Sequence, residues 1–323
     1  MPQPHPPVQP IALADIQAAR ARIAGTALRT PLVRLHVDAP AELCLKLEPL
    51  QPIGSFKIRG AVNAMRMLPP ERLKAGVYTV SAGNMAQGVA WAARELDIPC
   101  RVIAPDHAPQ TKLDAIARLG ATVVRVPFAD WWRAIVEFGV PGETGAFIHP
   151  GADPTVIAGN ATIGLEIVED LPDVDAILVP YGSGGLACGI ACAARALRPQ
   201  VKVYAVEVET AAPFSAALAA GHPVAVEYTP TFVDGIGGKT VLEQLWPLAR
   251  EVLAGSVVVS VRQVADAVRT LAERTRVIAE GAGAAPVAAA QAHDLGVKRV
   301  ACVVSGGNID SARLSRILAG DVP

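Results

Sequence analysis

The stretch "AILVPYGSGGLACGIACAAR", residues 176–195, runs from an apolar segment through Gly-Ser-Gly-Gly into an Ala-rich segment. Ile177, Leu178 and Val179 suit a strand buried on both faces, and such strands belong to parallel sheets covered by helices. The glycines end the strand, and the small residues after them suit a tightly packed helix. This is the first half of a β-α-β unit. The same alternation extends in both directions along the chain. Strands are predicted at 43–48, 77–80, 100–104, 122–126, 176–181, 201–207, 256–260 and 299–305, with helices at 57–68, 84–96, 109–119, 155–170, 186–197, 262–275 and 283–295. The expected class is α/β, built on parallel sheets. No repeat and no low-complexity linker divides it, so two α/β domains are expected to share the chain.

At 323 residues the chain is long enough for one large or two ordinary domains, and 51% apolar residues supply the core. The formal net charge is -1, with Lys and Arg scattered rather than clustered. That argues against a nucleic-acid groove or an anionic membrane surface. No apolar run reaches the ~20 residues needed to span a bilayer. The opening "MPQPHPPVQP" lacks the apolar core of a signal peptide, so residues 1–12 are expected to form a disordered arm. Cys44, Cys100, Cys188, Cys192 and Cys302 form no CxxC, and no histidine pair joins Cys188 and Cys192. Buried reduced thiols are expected rather than zinc, in a soluble cytoplasmic protein.

In open α/β sheets, ligands bind beyond the carboxyl ends of strands. Four loops at such positions carry unusual residues. Gly182-Ser183-Gly184-Gly185 opens a helix and reads either as a phosphate cradle or as a tight turn. Ser81-Ala82-Gly83-Asn84 opens another helix and reads either as an anion site, suited to a carboxylate, or as plain N-capping. Ser305-Gly306-Gly307-Asn308 follows a third strand. In "QPIGSFKIRG", 51–60, Lys57 stands at a helix start, either in solvent or as an amine held out of water. "DGIGGKT", 234–240, mimics a P-loop but has Val233 where the pattern needs glycine, so a nucleotide triphosphatase is rejected. Together these loops suit pyridoxal phosphate and an amino acid.

The chain resembles the serine/threonine dehydratase branch of the fold-type II pyridoxal-phosphate enzymes, which includes serine racemase. "KLEPLQPIGSFKIRGA", "SAGNMAQGVA", "FIHPGADPTVIAGNATIGLEI", "VPYGSGGLACGIA" and "VVSGGNID" carry the likeness, in family order, over roughly residues 20–320. The resemblance implies the tryptophan synthase β-like fold, two parallel-sheet domains with the cofactor in the cleft between them. Residues 1–66 and 150–323 would form the large cofactor-binding domain and 67–149 the small one. Lys57 would be the Schiff-base lysine and general base. Phe56 would lie beside the cofactor ring, with Asn84 at its phenolic oxygen and Ser305 at the pyridine nitrogen. Gly182, Ser183, Gly184, Gly185 and Leu186 would cradle the phosphate. Ser81, Ala82, Gly83 and Asn84 would grip the substrate carboxylate, with Met85 and Gly151 also facing substrate. The implied reaction is loss of water from a 2-amino-3-hydroxy acid, giving a 2-oxo acid and ammonia, in an unregulated catabolic homodimer.

The sequence also departs from that family. Ala82 stands where serine racemase has a second acid/base serine, which favours dehydration over racemisation. Glu207 matches a cation ligand of related enzymes, but Pro213 stands where an aspartate should follow, so no metal is expected there. Met85 replaces a usual histidine, and Gly151-Ala152 replace a bulky and an acidic residue. These changes are either repacking or an enlarged apolar pocket, as for 3-phenylserine. A β-replacement synthase, an amino-acid racemase and a non-catalytic pyridoxal-phosphate carrier are the alternatives.

Overall fold

A computed structural model of the protein describes residues 5–323. Ten strands are formed among them: β1 (Leu32–Leu35), β2 (Glu42–Leu47), β3 (Val77–Val80), β4 (Cys100–Pro105), β5 (Thr122–Val126), β6 (Ala146–Phe147), β7 (Ala176–Pro180), β8 (Lys202–Val208), β9 (Gly255–Val259) and β10 (Arg299–Val304). They make a six-stranded sheet in the order β1-β2-β10-β7-β8-β9 and a four-stranded sheet in the order β5-β4-β3-β6. The smaller sheet is drawn wholly from residues between 77 and 147, and the larger one from both flanks of that segment.

All pairings are parallel except β1 with β2. The expected parallel alternation has no place for β1. The connection from Leu35 to Glu42 is too short for a crossover, so the chain returns antiparallel along the sheet edge. The β6 strand is also absent from the predicted elements, because two residues are too few to show a period. The helices Leu13–Ile23, Phe128–Val136, Pro213–Ala220 and Ser311–Leu318 are likewise additions to the predicted set.

The core is made of apolar strands and Ala/Gly-rich helices packed closely. Helix Pro154–Asp170 is nearly all buried and lies against Gly185–Leu197 and Lys57–Met67. A Cβ on Gly164 would meet Ile190 backbone oxygen at 2.9 Å, and one on Gly189 would meet Ile157 oxygen at 2.8 Å. Small residues thus set the helix spacing around the site. Beneath Lys57, Arg59 is fully buried. Its guanidinium donates to both oxygens of Glu48 at 2.9 Å and to the two oxygens of Glu166 at 2.6 and 2.9 Å. Lys46 Nζ joins them, 2.5 Å from Glu166. These paired charges lock the helix carrying Lys57 to β2 and to helix Pro154–Asp170.

The disordered arm expected over 1–12 is corrected for 5–12, while residues 1–4 lie outside the described residues. Val8 is buried, its N–H donates to Gln244 oxygen at 2.8 Å, and His5 stacks on Phe138. An extended, proline-rich segment reads as unstructured, yet one apolar anchor and one backbone bond hold it down. All five cysteines are free and buried, as expected.

Candidate active site

Lys57 begins its helix after the turn Gly54-Ser55-Phe56, and that turn is pinned to the loop after β10. Phe56 N–H donates to Ser305 oxygen at 3.0 Å, and Gly307 N–H donates to Gly54 oxygen at 2.9 Å. Lys57 Nζ donates to Pro150 oxygen at 2.8 Å and lies 5.1 Å from the Phe56 ring centroid. The amine opens only onto a cavity of about 440 Å³. Removal from water lowers its pKa to about 8, and Glu280 partly opposes that shift.

The other loops converge on the same cavity. Ser81, Ala82, Gly83, Asn84 and Met85 line it on one side, and Gly182, Ser183, Gly184, Leu186 and Ser305 on the other. Plain N-capping is not what the Ser81–Asn84 loop does. Helix Asn84–Glu95 has Gly83 at its N-cap and no side-chain cap bond. Asn84 instead donates from Nδ2 to Glu280 Oε1 at 2.7 Å and accepts from Asn308 Nδ2 at 2.8 Å. The first-turn N–H groups therefore keep their affinity for an anion.

The Gly182–Gly185 loop has the same character. Gly184 caps helix Gly185–Leu197 in the left-handed region, at φ 95°, again without a side-chain cap. A Cβ at Gly184 would stand 2.8 Å from Tyr181 hydroxyl oxygen, so both backbone angle and space require glycine. A helix N-terminus left uncapped beside Ser183 hydroxyl and facing the cavity fits a phosphate.

Two sequence-predicted residues stand elsewhere. Gly151 does not line the cavity, and neither does Gly185. A Cβ on Gly151 would meet Ser183 Oγ at 2.3 Å, and one on Gly185 would meet Gly151 oxygen at 2.4 Å. Gly151 thus lets the 150–152 turn lie against Ser183 of the glycine loop. Ala152 is buried in the core. His149 holds that turn, accepting at Nδ1 from the N–H groups of Gly151 and Ala152 at 3.0 and 2.8 Å. Its Nε2 then donates to Ile135 oxygen at 3.1 Å, and burial lowers its pKa to about 4.

Sequence reasoning missed Glu280. It is buried at the start of helix Gly281–Ala292, lines the cavity and has its pKa raised to about 7, chiefly by desolvation. Its only sequence signal is an acidic residue just before "GAGAAP". The rejected P-loop mimic also lies here as an irregular loop, and Asp234, Gly235 and Ile236 reach the cavity wall. Gly235 oxygen would stand 3.3 Å from a Cβ on Gly182, closing the glycine loop from above. Glu207 is engaged internally: it accepts from the N–H groups of Phe214 and Ser215 at 2.8 Å each and from Ser256 hydroxyl at 2.7 Å.

A desolvated lysine, an uncapped glycine loop and a second uncapped helix start around one cavity are the parts of a pyridoxal-phosphate site. Residues 23–306 match the family model described as pyridoxal-phosphate dependent enzyme. The chain belongs to this family. Within the family it is 42% identical to the L-threonine ammonia-lyase of Thermotoga maritima, over 95% of this chain and 78% of that protein. It is 37% identical to the catabolic L-threonine dehydratase of Escherichia coli, over 95% and 96% of the two chains. Among solved structures, serine racemase from Dictyostelium discoideum superposes with a TM-score of 0.86 at 33% identity, covering 94% of this chain and all (100%) of that one. The fold is therefore the expected fold type II, and the cofactor is pyridoxal phosphate.

Proposed function

We propose that this enzyme is a dehydratase that converts a 2-amino-3-hydroxy acid into a 2-oxo acid and ammonia. The observation that carries the reading is Lys57: a buried amine of lowered pKa beside two helix starts that suit a phosphate and a carboxylate. The likeness to threonine ammonia-lyases supports the reaction class. When bound, pyridoxal phosphate supplies an aldehyde for amines and a ring that accepts the electron pair left at Cα.

The protein's own groups do the rest. Gly182, Ser183, Gly184, Gly185 and Leu186 would hold the phosphate at the uncapped helix start. Phe56 would flank the ring, Ser305 would meet the pyridine nitrogen and Asn84 the phenolic oxygen, with the Asn84 amide fixed by Glu280 and Asn308. Ser81, Ala82, Gly83 and Asn84 bind the substrate carboxylate at the helix start. Lys57, neutral once its proton is lost, takes the Cα proton. The Cβ–O bond breaks as the proton that Lys57 took from Cα passes to the departing hydroxyl, which leaves as water and returns Lys57 to its neutral form. Hydrolysis of the released enamine takes up one water and frees ammonia, so the net reaction needs no oxidant or reductant.

Ala82 presents a methyl group to the cavity beside Ser81, which suits elimination better than racemisation, since only one proton carrier is needed. On this reading 1–66 with 150–323 form the large domain and 67–149 the small one, a division supported by the separate origins of the two sheets. No described helix is long and apolar enough to cross a membrane. A cytoplasmic homodimer rests on the family likeness.

Borohydride reduction of the holoenzyme followed by peptide mapping tests the lysine assignment. The cofactor mass is expected on the peptide containing Lys57, and its recovery on another lysine would refute the assignment.

A further inference from the structure

Aromatic residues make up only 4% of the chain, yet Phe128, Trp131 and Trp132 stand together on helix Phe128–Val136. Phe128, Trp131 and Ile135 are spaced i, i+3 and i+7, one face of the helix, and all three line the cavity that contains Lys57. Pro105, Ala108 and Pro109 continue the same wall after β4. Phe128 and Trp131 stack at 5.6 Å, and the His107 ring lies 5.5 Å from that of Phe128. Charge appears at the rim, where Lys112 and Asp234 pair at 2.9 Å.

This wall is poorly satisfied as it stands. Phe128 is 42% exposed. Trp131 lines the cavity, and its buried indole N–H has no acceptor among the described residues. A patch of this kind inside a ligand cavity gains stability when an apolar group covers it. A hydroxymethyl or hydroxyethyl side chain is too small to do so.

We infer that the face Phe128–Trp131–Ile135 is the specificity wall of the enzyme and takes an aromatic β-substituent, as in 3-phenylserine. This rests on the dehydratase reading and names its substrate class. On this inference the selectivity lies on this helix, while Gly151 backs onto Ser183 and Ala152 is buried in the core. Aromatic rings stack favourably in offset or edge-on geometry, so a phenyl group is preferred over an aliphatic chain of similar size.

The test compares kcat/KM of the holoenzyme for L-threo-3-phenylserine, L-threonine and L-serine, measured as 2-oxo acid formed. Phenylserine is expected to exceed both by at least about tenfold, the scale set by a filled against an unfilled apolar pocket. Phe128→Ala at the partly exposed position and Trp131→Leu, which keeps an apolar side chain but loses the ring, are each expected to lower the phenylserine-to-serine ratio by roughly fivefold or more. Trp132→Ala, off the cavity face, keeps the wild-type ratio. A preference for serine or threonine, or a ratio indifferent to Phe128 and Trp131, overturns the wall and leaves the dehydratase intact. Absence of 2-oxo acid from all three substrates overturns the dehydratase instead. The wall is then judged by titrating 3-phenyllactate, which lacks the amine, against tryptophan fluorescence. Binding weakened by Phe128→Ala sustains it, and no binding overturns it.

Discussion

Lys57 Nζ donates to Pro150 oxygen across the cavity at 2.8 Å, a contact between the start of one helix and the turn that leads into another. The bond holds the amine while burial lowers its pKa to about 8. An unprotonated amine is the nucleophile, so its population rises as pH passes the folded pKa. In the cofactor-free protein, labelling of Lys57 by an amine-directed reagent is expected to rise with a midpoint near 8, read by peptide mass spectrometry. A midpoint near 10.5, the ordinary lysine value, would mean the amine is solvated.

Asn84 depends on Glu280 for its orientation. The bond between them is 2.7 Å, and Glu280 has no other side-chain hydrogen-bond partner among the described residues. Glu280→Ala is expected to weaken cofactor affinity roughly ten- to a hundredfold, the scale of a lost buried hydrogen bond to a charged group. Glu280→Gln keeps an acceptor for Asn84 and should bind the cofactor far better than the alanine variant. Titration of each cofactor-free variant with pyridoxal phosphate, followed by absorbance, measures both.

The Arg59 network is a structural counterpart beneath the same helix. Arg59→Ala takes from buried Glu48 the only cation hydrogen-bonded to it among the described residues and leaves Glu166 to Lys46 alone. It is expected to cost about 3–5 kcal/mol in denaturant unfolding. Arg59→Lys cannot make the two-oxygen contacts to both carboxylates, so it should recover only part of that loss. A cost below about 1 kcal/mol for Arg59→Ala would show that the pairs barely exceed their desolvation.

His149 sets an acid limit on stability. Its folded pKa is lowered from 6.5 to about 4, so the unfolded chain takes up its proton first as pH falls. The contribution is therefore fully present above 6.5 and is lost as pH drops toward 4, about 3 kcal/mol in all. Glu280 works in the opposite sense, since its folded pKa is raised to about 7 and its contribution is lost as pH rises from 4.5 toward that value. The difference between wild type and His149→Gln isolates the histidine. That difference should shrink from pH 7 to pH 4, and a constant difference would contradict the assignment.

Much of this arrangement is legible in the amino-acid order alone. The buried strands β3, β7 and β10 are short β-branched runs followed at once or one residue later by serine or glycine. Ser81–Asn84, Gly182–Leu186 and Ser305 sit just beyond them, while Lys57 follows β2 after the 48–56 turn. What the sequence hides are contacts that depend on distance in space. Gly151 reads as a gap in a pocket because glycine lacks a side chain, yet its neighbour is Ser183. Glu280 goes unnoticed in the sequence because nothing local shows that Asn84 lies against it. The Phe128–Trp131–Ile135 face has a helical period, but period alone does not say whether it meets the core or a cavity.

The most direct test incubates the holoenzyme with β-hydroxy amino acids and measures ammonia and 2-oxo acid together. Equal amounts of the two, formed by wild type and abolished in Lys57→Ala, are the predicted result. Ammonia without 2-oxo acid, or equal turnover in the Lys57→Ala variant, would contradict a dehydratase that works through Lys57.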